Sequence, residues 1–205
     1  MTVQYTDPTV SREKFEREIA EYRGLGSEYQ QRGWFLVEAE FPKALVILTA
    51  PKVRPSVVVM AVAFDYTNYD TAAPSVRIVN PFTAEPLKFK DLPSQLNRAL
   101  PQQEIALPVV PVGISPGQKM MLQGVQPYMQ AHGPDEIPFL CLAGVREYHE
   151  HPAHSGDVWE LHRASGAGRL VRLLEIIYRY GIEPIAGFGV QLMPQVGLNY
   201  GPPPQ

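Results

Sequence analysis

Cys141 is the chain's one cysteine, and it heads the segment Cys141-Leu142-Ala143-Gly144-Val145-Arg146-Glu147-Tyr148-His149-Glu150-His151-Pro152-Ala153-His154. All five histidines fall between His132 and His162. A thiol is a soft nucleophile once ionised, and imidazole exchanges protons near neutral pH. A folded loop after Cys141 would return His149, His151 or His154 to the sulfur. Two chemistries fit this pattern. In the first, an imidazole takes the Cys141 proton and the thiolate attacks an acyl carbonyl, with Glu147 or Asp157 orienting the histidine. In the second the same groups bind zinc, with Cys141, Glu147, His149 and either His151 or His154 as four ligands from one loop. His149 and His151 share a face if their segment is extended. Paired ligands of the Cys-x-x-Cys or His-x-x-x-His kind are missing, which weighs against zinc. The plain competitor is a small buried thiol in Phe139-Leu140-Cys141-Leu142 beside solvated histidines.

Elements on both sides must position this segment. Ser11 is the expected cap of a helix running to about Arg23, with Phe15, Ile19 and Tyr22 on one face and Gly24 and Gly26 as stops. From Trp34 the pattern turns strand-like, Phe35, Val37, Ala39 and Phe41 alternating with Leu36, Glu38 and Glu40. Residues 44–49, 56–64 and 75–79 are further apolar, β-branched runs bounded by prolines. A helix followed by a meander of four antiparallel strands is expected. Leu92, Leu96 and Leu100, one turn apart, predict a short helix; residues 101–124 read as loop with one more short strand. The strongest helical stripe is Leu170, Leu173, Leu174 and Ile177 within residues 168–180, with Gly181 just past its end. Gly166-Ala167-Gly168 before it reads as a turn. This order predicts an α+β domain with helices on one sheet face.

Composition narrows the setting. The 205 residues are 45% hydrophobic and carry a net charge of −3, enough to bury a core and without a basic footprint for nucleic acid. The longest apolar run, residues 57–64, is too short to cross a bilayer, for which about 20 residues are needed. One cysteine excludes an internal disulfide and suits the reducing cytosol, so a cytoplasmic protein is expected. The 21 prolines mostly separate apolar runs, apart from the extended end Gly201-Pro202-Pro203-Pro204-Gln205. Walker A, dinucleotide-glycine, H-E-x-x-H and G-x-S-x-G signatures are lacking.

Taken in order, the motifs resemble a ubiquitin-conjugating (E2) domain. Phe64-Asp65-Tyr66-Thr67-Asn68-Tyr69 followed by Ala73-Pro74-Ser75-Val76-Arg77-Ile78 is similar to the E2 strand, aromatic-proline turn and following strand. His132-Gly133-Pro134, ahead of Cys141, is similar to the E2 H-P-N motif in its spacing, and Leu140-Cys141-Leu142 is like I-C-L. Trp159 and the later helix are similar to the E2 tryptophan and the helix after its site. The window from Cys141 to Asp157 also resembles a domain of bacterial ubiquitin-like operons known by a Cys, Glu, His, His pattern and predicted to bind metal. A divergent E2 in which the supposed ligands are catalytic reconciles the two.

The resemblance implies a UBC-like domain over residues 11–182, with an N-terminal extension over 1–10, an insertion around 81–130 and a Gly/Pro-rich tail over 183–205. It implies that Cys141 accepts a ubiquitin-like modifier as a thioester from an E1-like adenylating enzyme and passes it to a target protein. His149 or His154 would serve as base or oxyanion donor, with Glu147 orienting one of them, and no cofactor would be needed. The E2 asparagine has no counterpart, Asp135 following Pro134, and the histidines lie in a stretch longer than ordinary E2 domains have between the cysteine and the tryptophan.

Overall fold

The computed structural model describes residues 3–105, 120–187 and 189. Helix α1 (Pro8–Gly24) begins before Ser11: Asp7 caps it by accepting the Thr9 N–H at 2.8 Å, and Pro8 fills a first-turn position where no N–H is needed. Ser11 instead lies fully buried on the inner face of α1 with Phe15, Glu18, Ile19 and Tyr22. The expected stop falls at Gly24, but a second short helix, α2 (Gly26–Gln31), starts at once.

Four strands then form one antiparallel sheet in chain order: β1 (Trp34–Glu40), β2 (Lys43–Ala50), β3 (Val57–Asp65) and β4 (Ser75–Val79). This is the α+β meander the apolar runs predict. Alternation on β2 turns Ala44, Val46, Leu48 and Ala50 inward. In β1 the register shifts between Leu36 and Glu38; Trp34 is buried while Phe35 and Val37 face outward.

Beyond the sheet comes a single-turn 3₁₀ segment, Phe89–Asp91. The expected helix over residues 92–100 does not form. Leu96 adopts a positive φ of 54°, and β5 (Asn97–Ala99) pairs with β8 (Val125–Pro127). Further along the same ribbon β6 (Gln103–Ile105) pairs with β7 (Met120–Leu122). The three leucines follow a helical spacing, but Leu96 is drawn to the core, where it is fully buried against Gly181. Tertiary packing overrides the local pattern. The last strand pair, β9 (Met129–Gln130) with β10 (Phe139–Leu140), leads to Cys141.

Three helices follow: α3 (Arg146–Glu150), α4 (Glu160–Arg163) and α5 (Leu170–Gly181). On α5 the residues Leu170, Leu173, Leu174 and Ile177 are essentially without solvent contact and pack with α1 on the inner sheet face. Each such side chain contributes about 1.5–3 kcal/mol by leaving water. Gly181 is the last residue of α5 rather than the one beyond it. Its need for glycine is steric, since a Cβ would stand 2.3 Å from Leu96 Cδ2. Among the described residues no helix is long and apolar enough to cross a membrane.

Candidate active site

Cys141 follows β10 directly, and its N–H donates to the Tyr128 carbonyl at 2.7 Å. The chain then folds back tightly, Leu142 N to Leu140 O at 2.8 Å and Val145 N to Leu142 O at 2.9 Å, before entering α3. The sulfur is half-buried and free of any disulfide. Burial pushes the Cys141 thiol up from its ordinary ionisation range. A reaction through this sulfur near neutral pH therefore needs a proton acceptor beside it.

His154 supplies one. Its Nε2 lies 3.6 Å from Cys141 Sγ, within reach of a hydrogen bond to sulfur. The ring is stacked on Tyr148, centroid to centroid 3.9 Å at 22°. The Tyr148 hydroxyl donates to Asp157 Oδ2 at 2.6 Å, and this bond first, with burial second, pushes the phenol up to about 12. His151 stacks on Phe139 at 4.8 Å and on His132 at 5.5 Å, and its Nδ1 accepts the Ala153 N–H. It forms a row beside His154 and makes no contact with the sulfur.

Asp157 ties several parts of this segment together. Its Oδ1 meets His162 Nε2 at 2.5 Å, its Oδ2 takes the Tyr148 hydroxyl and its carbonyl oxygen faces His149 Nδ1 at 2.7 Å. The Tyr148 bond, then the His162 bond, hold its carboxyl below the usual range. The other ring nitrogen of His149, Nε2, lies 2.7 Å from the Ala143 carbonyl. Both His149 nitrogens are thus engaged with backbone oxygens, leaving neither for Cys141. The expected role of His149 as base is corrected accordingly.

Glu147 also departs from expectation. Its carboxylate accepts from the Ser75 hydroxyl, takes the Val76 N–H at 3.3 Å and pairs with Arg77 at 3.2 Å. It is 9% exposed and turned to β4, with no histidine among these partners. Its neighbour Arg146 is buried and holds the β3–β4 connection through the carbonyls of Ala73 (3.1 Å), Asp65 (3.3 Å) and Thr67 (2.6 Å). Together these two charged side chains bolt α3 to the sheet edge. Helical geometry explains the outcome: α3 directs consecutive residues to different neighbours, and the β4 side offers the donors an anion needs.

The side chains expected to bind zinc are dispersed in the same way. Among the described residues no three His, Cys, Asp or Glu side chains are grouped to hold a metal ion. Of the expected ligands, Glu147 is committed to β4 and His149 to two carbonyls; Cys141 meets His154, and His151 lies beside His154 without reaching the sulfur.

Close backbone approaches complete the site. A Cβ on Gly144 would stand 2.1 Å from the Ala167 carbonyl oxygen, and one on Gly168 2.8 Å from Pro74 and 3.0 Å from Trp159. Gly166, at φ +69°, makes the expected turn. Trp159 donates its indole N–H to the Asp70 carbonyl at 2.8 Å, anchoring the start of α4 to the loop before β4. The turn His132-Gly133-Pro134 is held to the 3₁₀ segment by Lys90 N to Pro134 O at 2.9 Å and places His132 on His151.

Fold and site together define an α+β protein in which a cysteine just past a short strand faces a histidine from the 3₁₀ turn after the next helix. The chain belongs to the Y4jH-like family, whose model matches residues 6–185. It is 43% identical over 202 residues to the uncharacterized protein y4jH of Sinorhizobium fredii (strain NBRC 101917 / NGR234), covering 98% of this chain and 96% of that one.

Proposed function

We propose that the chain is an E2-like carrier with a UBC-like fold, which accepts a ubiquitin-like protein on Cys141 and passes it to a target nucleophile in the cytoplasm. The observation that carries this reading is the 3.6 Å approach of His154 Nε2 to an otherwise unengaged, half-buried thiol. The order of an N-terminal helix, a four-stranded meander, the cysteine segment and a later helix supports it too.

In the first step His154 takes the Sγ proton. The thiolate attacks the carbonyl carbon of the modifier's C-terminal thioester on an E1-like enzyme, forming one C–S bond while the other breaks and the donor thiol leaves. In the second, a target amine attacks the carbonyl carbon and gives up a proton to His154 as the C–N bond forms, and Cys141 leaves as thiolate and regains that proton from His154. A proton acceptor within hydrogen-bond reach is what each transfer requires. Glu147 has no part in it, and Tyr148 supports His154 from behind.

Incubation with the cognate adenylating enzyme, ATP and the modifier, followed by a non-reducing gel, tests the reading. A thiol-labile adduct that disappears in Cys141→Ala is expected, and Cys141→Ser should hold a more stable ester. Wild-type protein that stays unmodified while the adenylating enzyme is fully charged defeats the proposal.

A further inference from the structure

The imidazole of His149 lies between two carbonyl oxygens, Ala143 O against Nε2 and Asp157 O against Nδ1, each at 2.7 Å. A carbonyl oxygen only accepts, so both contacts are hydrogen bonds when both ring nitrogens carry a proton. Ala143 belongs to the loop of Cys141. Asp157 belongs to the loop of His154, and its N–H donates to the His154 carbonyl at 2.9 Å. The ring is therefore a spacer joining the backbone of the nucleophile's loop to that of the base's loop.

We propose that His149 is a positioning residue: as a doubly protonated bridge between Ala143 and Asp157 it sets the distance from Cys141 Sγ to His154 Nε2. This rests on the reading of Cys141 and His154 as nucleophile and base. Around the ring the structure places Tyr148 (5.0 Å, edge-on), Trp159 (5.8 Å) and His162 (5.8 Å). Of the titratable groups among them, the Tyr148 phenol and the His162 imidazole are both drawn to the Asp157 carboxylate, so the anion that a positive ring favours is close on the same residue.

The test uses the rate at which iodoacetamide alkylates Cys141 across pH, which needs neither adenylating enzyme nor modifier. In the wild type, His154 accelerates the reaction at neutral pH. His154→Ala should slow it by at least about tenfold and leave the profile of a lone buried thiol. His149→Ala should produce the same profile, and the double variant should be no slower than either single one, because both changes remove one arrangement. Circular dichroism confirms that each variant is folded. Should His149→Ala fail to fold, nitrogen NMR of the wild-type His149 ring decides directly, and two protonated nitrogens are expected. An unchanged profile in His149→Ala, additive losses in the double variant, or a singly protonated ring overturns the proposal. So does a His154→Ala profile identical to wild type, since there is then no pair to position. Failure of the modifier adduct alongside a His149-dependent profile removes the carrier reading and leaves the positioning role standing.

Discussion

Gly144 and Ala167 touch backbone to backbone: a Cβ placed on Gly144 would stand 2.1 Å from the Ala167 carbonyl oxygen and 2.6 Å from its carbon. The contact fastens the turn after Cys141 to the loop that leads into α5. No flexible side chain is present to yield. Gly144→Ala should therefore cost about 3 kcal/mol or more of stability in urea unfolding, at the upper end for overpacking. Cys141 alkylation should lose its dependence on His154 in the same variant. A variant as stable as wild type would mean that the two loops do not meet.

Glu147→Gln separates a structural carboxylate from a catalytic one. The charge that faces Arg77, Ser75 and the Val76 amide is lost, while an amide of similar shape remains. Breaking this partly buried ion pair at one end predicts a loss of about 2 kcal/mol, less than for a fully buried pair because Arg77 keeps 32% of its side chain in water. The alkylation profile of Cys141 in the folded variant should match wild type. A lowered rate with stability unchanged would return Glu147 to the chemistry.

Tyr148 should titrate near the value of about 12 that its hydrogen bond to Asp157 imposes. Because the folded protein favours the neutral phenol, the stabilisation is complete below the ordinary phenol range and disappears as pH rises through about 12. Tyr148→Phe keeps the ring under His154 and removes the hydroxyl. Its stability deficit should be visible at neutral pH and should close in strong alkali. Asp157 acts on the opposite limb. With its carboxyl held low, its contribution is present above the unfolded carboxylate range and is lost as pH falls through the depressed value. Ultraviolet absorbance titration and melting curves across pH check both; a Tyr148 that ionises like a free phenol contradicts the Asp157 contact.

Glu18 is 1% exposed inside α1, where it accepts the Leu170 N–H at 3.2 Å and so caps the start of α5 from a different helix. Burial pushes its carboxyl upward, the Leu170 bond pulling the other way. The folded chain thus favours the protonated acid. That advantage is full below the unfolded carboxylate range and is lost as pH rises through the raised value. Glu18→Gln keeps an acceptor for Leu170 without a buried charge, so the variant should melt higher than wild type at neutral pH and converge with it in acid. A lower melting temperature at neutral pH would show that the charge itself is needed.

Much of this arrangement could be read in one dimension, and the rest shows why some of it could not. Residues 44–49, 56–64 and 75–79 declare themselves as strands because β-branched runs end at prolines, and the stripe from Leu170 to Ile177 announces α5 by its period. Ser11 and Asp7 are both capping residue types, and only the buried side of α1 tells them apart. The leucines at 92, 96 and 100 keep a helical period, yet Leu96 serves the pocket against Gly181. Within the site, the nearness of Cys141 and His154 was among the pairings that the spacing allowed. The destination of Glu147 was not, since Ser75 lies 72 residues away in sequence. Asp157 was visible as a possible partner for a histidine; that it would gather Tyr148, His149 and His162 required the loop to close first.

The paired clamp of Arg146 and Glu147 reaches back across 70 to 81 residues to grip the β3–β4 connection and β4 itself. The residues that are gripped precede the thiol in the chain and those that grip follow it closely, so the hold on α3 forms only as the meander closes. On the proposed pairing with His154, the rate at which Cys141 reacts reports whether the meander has closed.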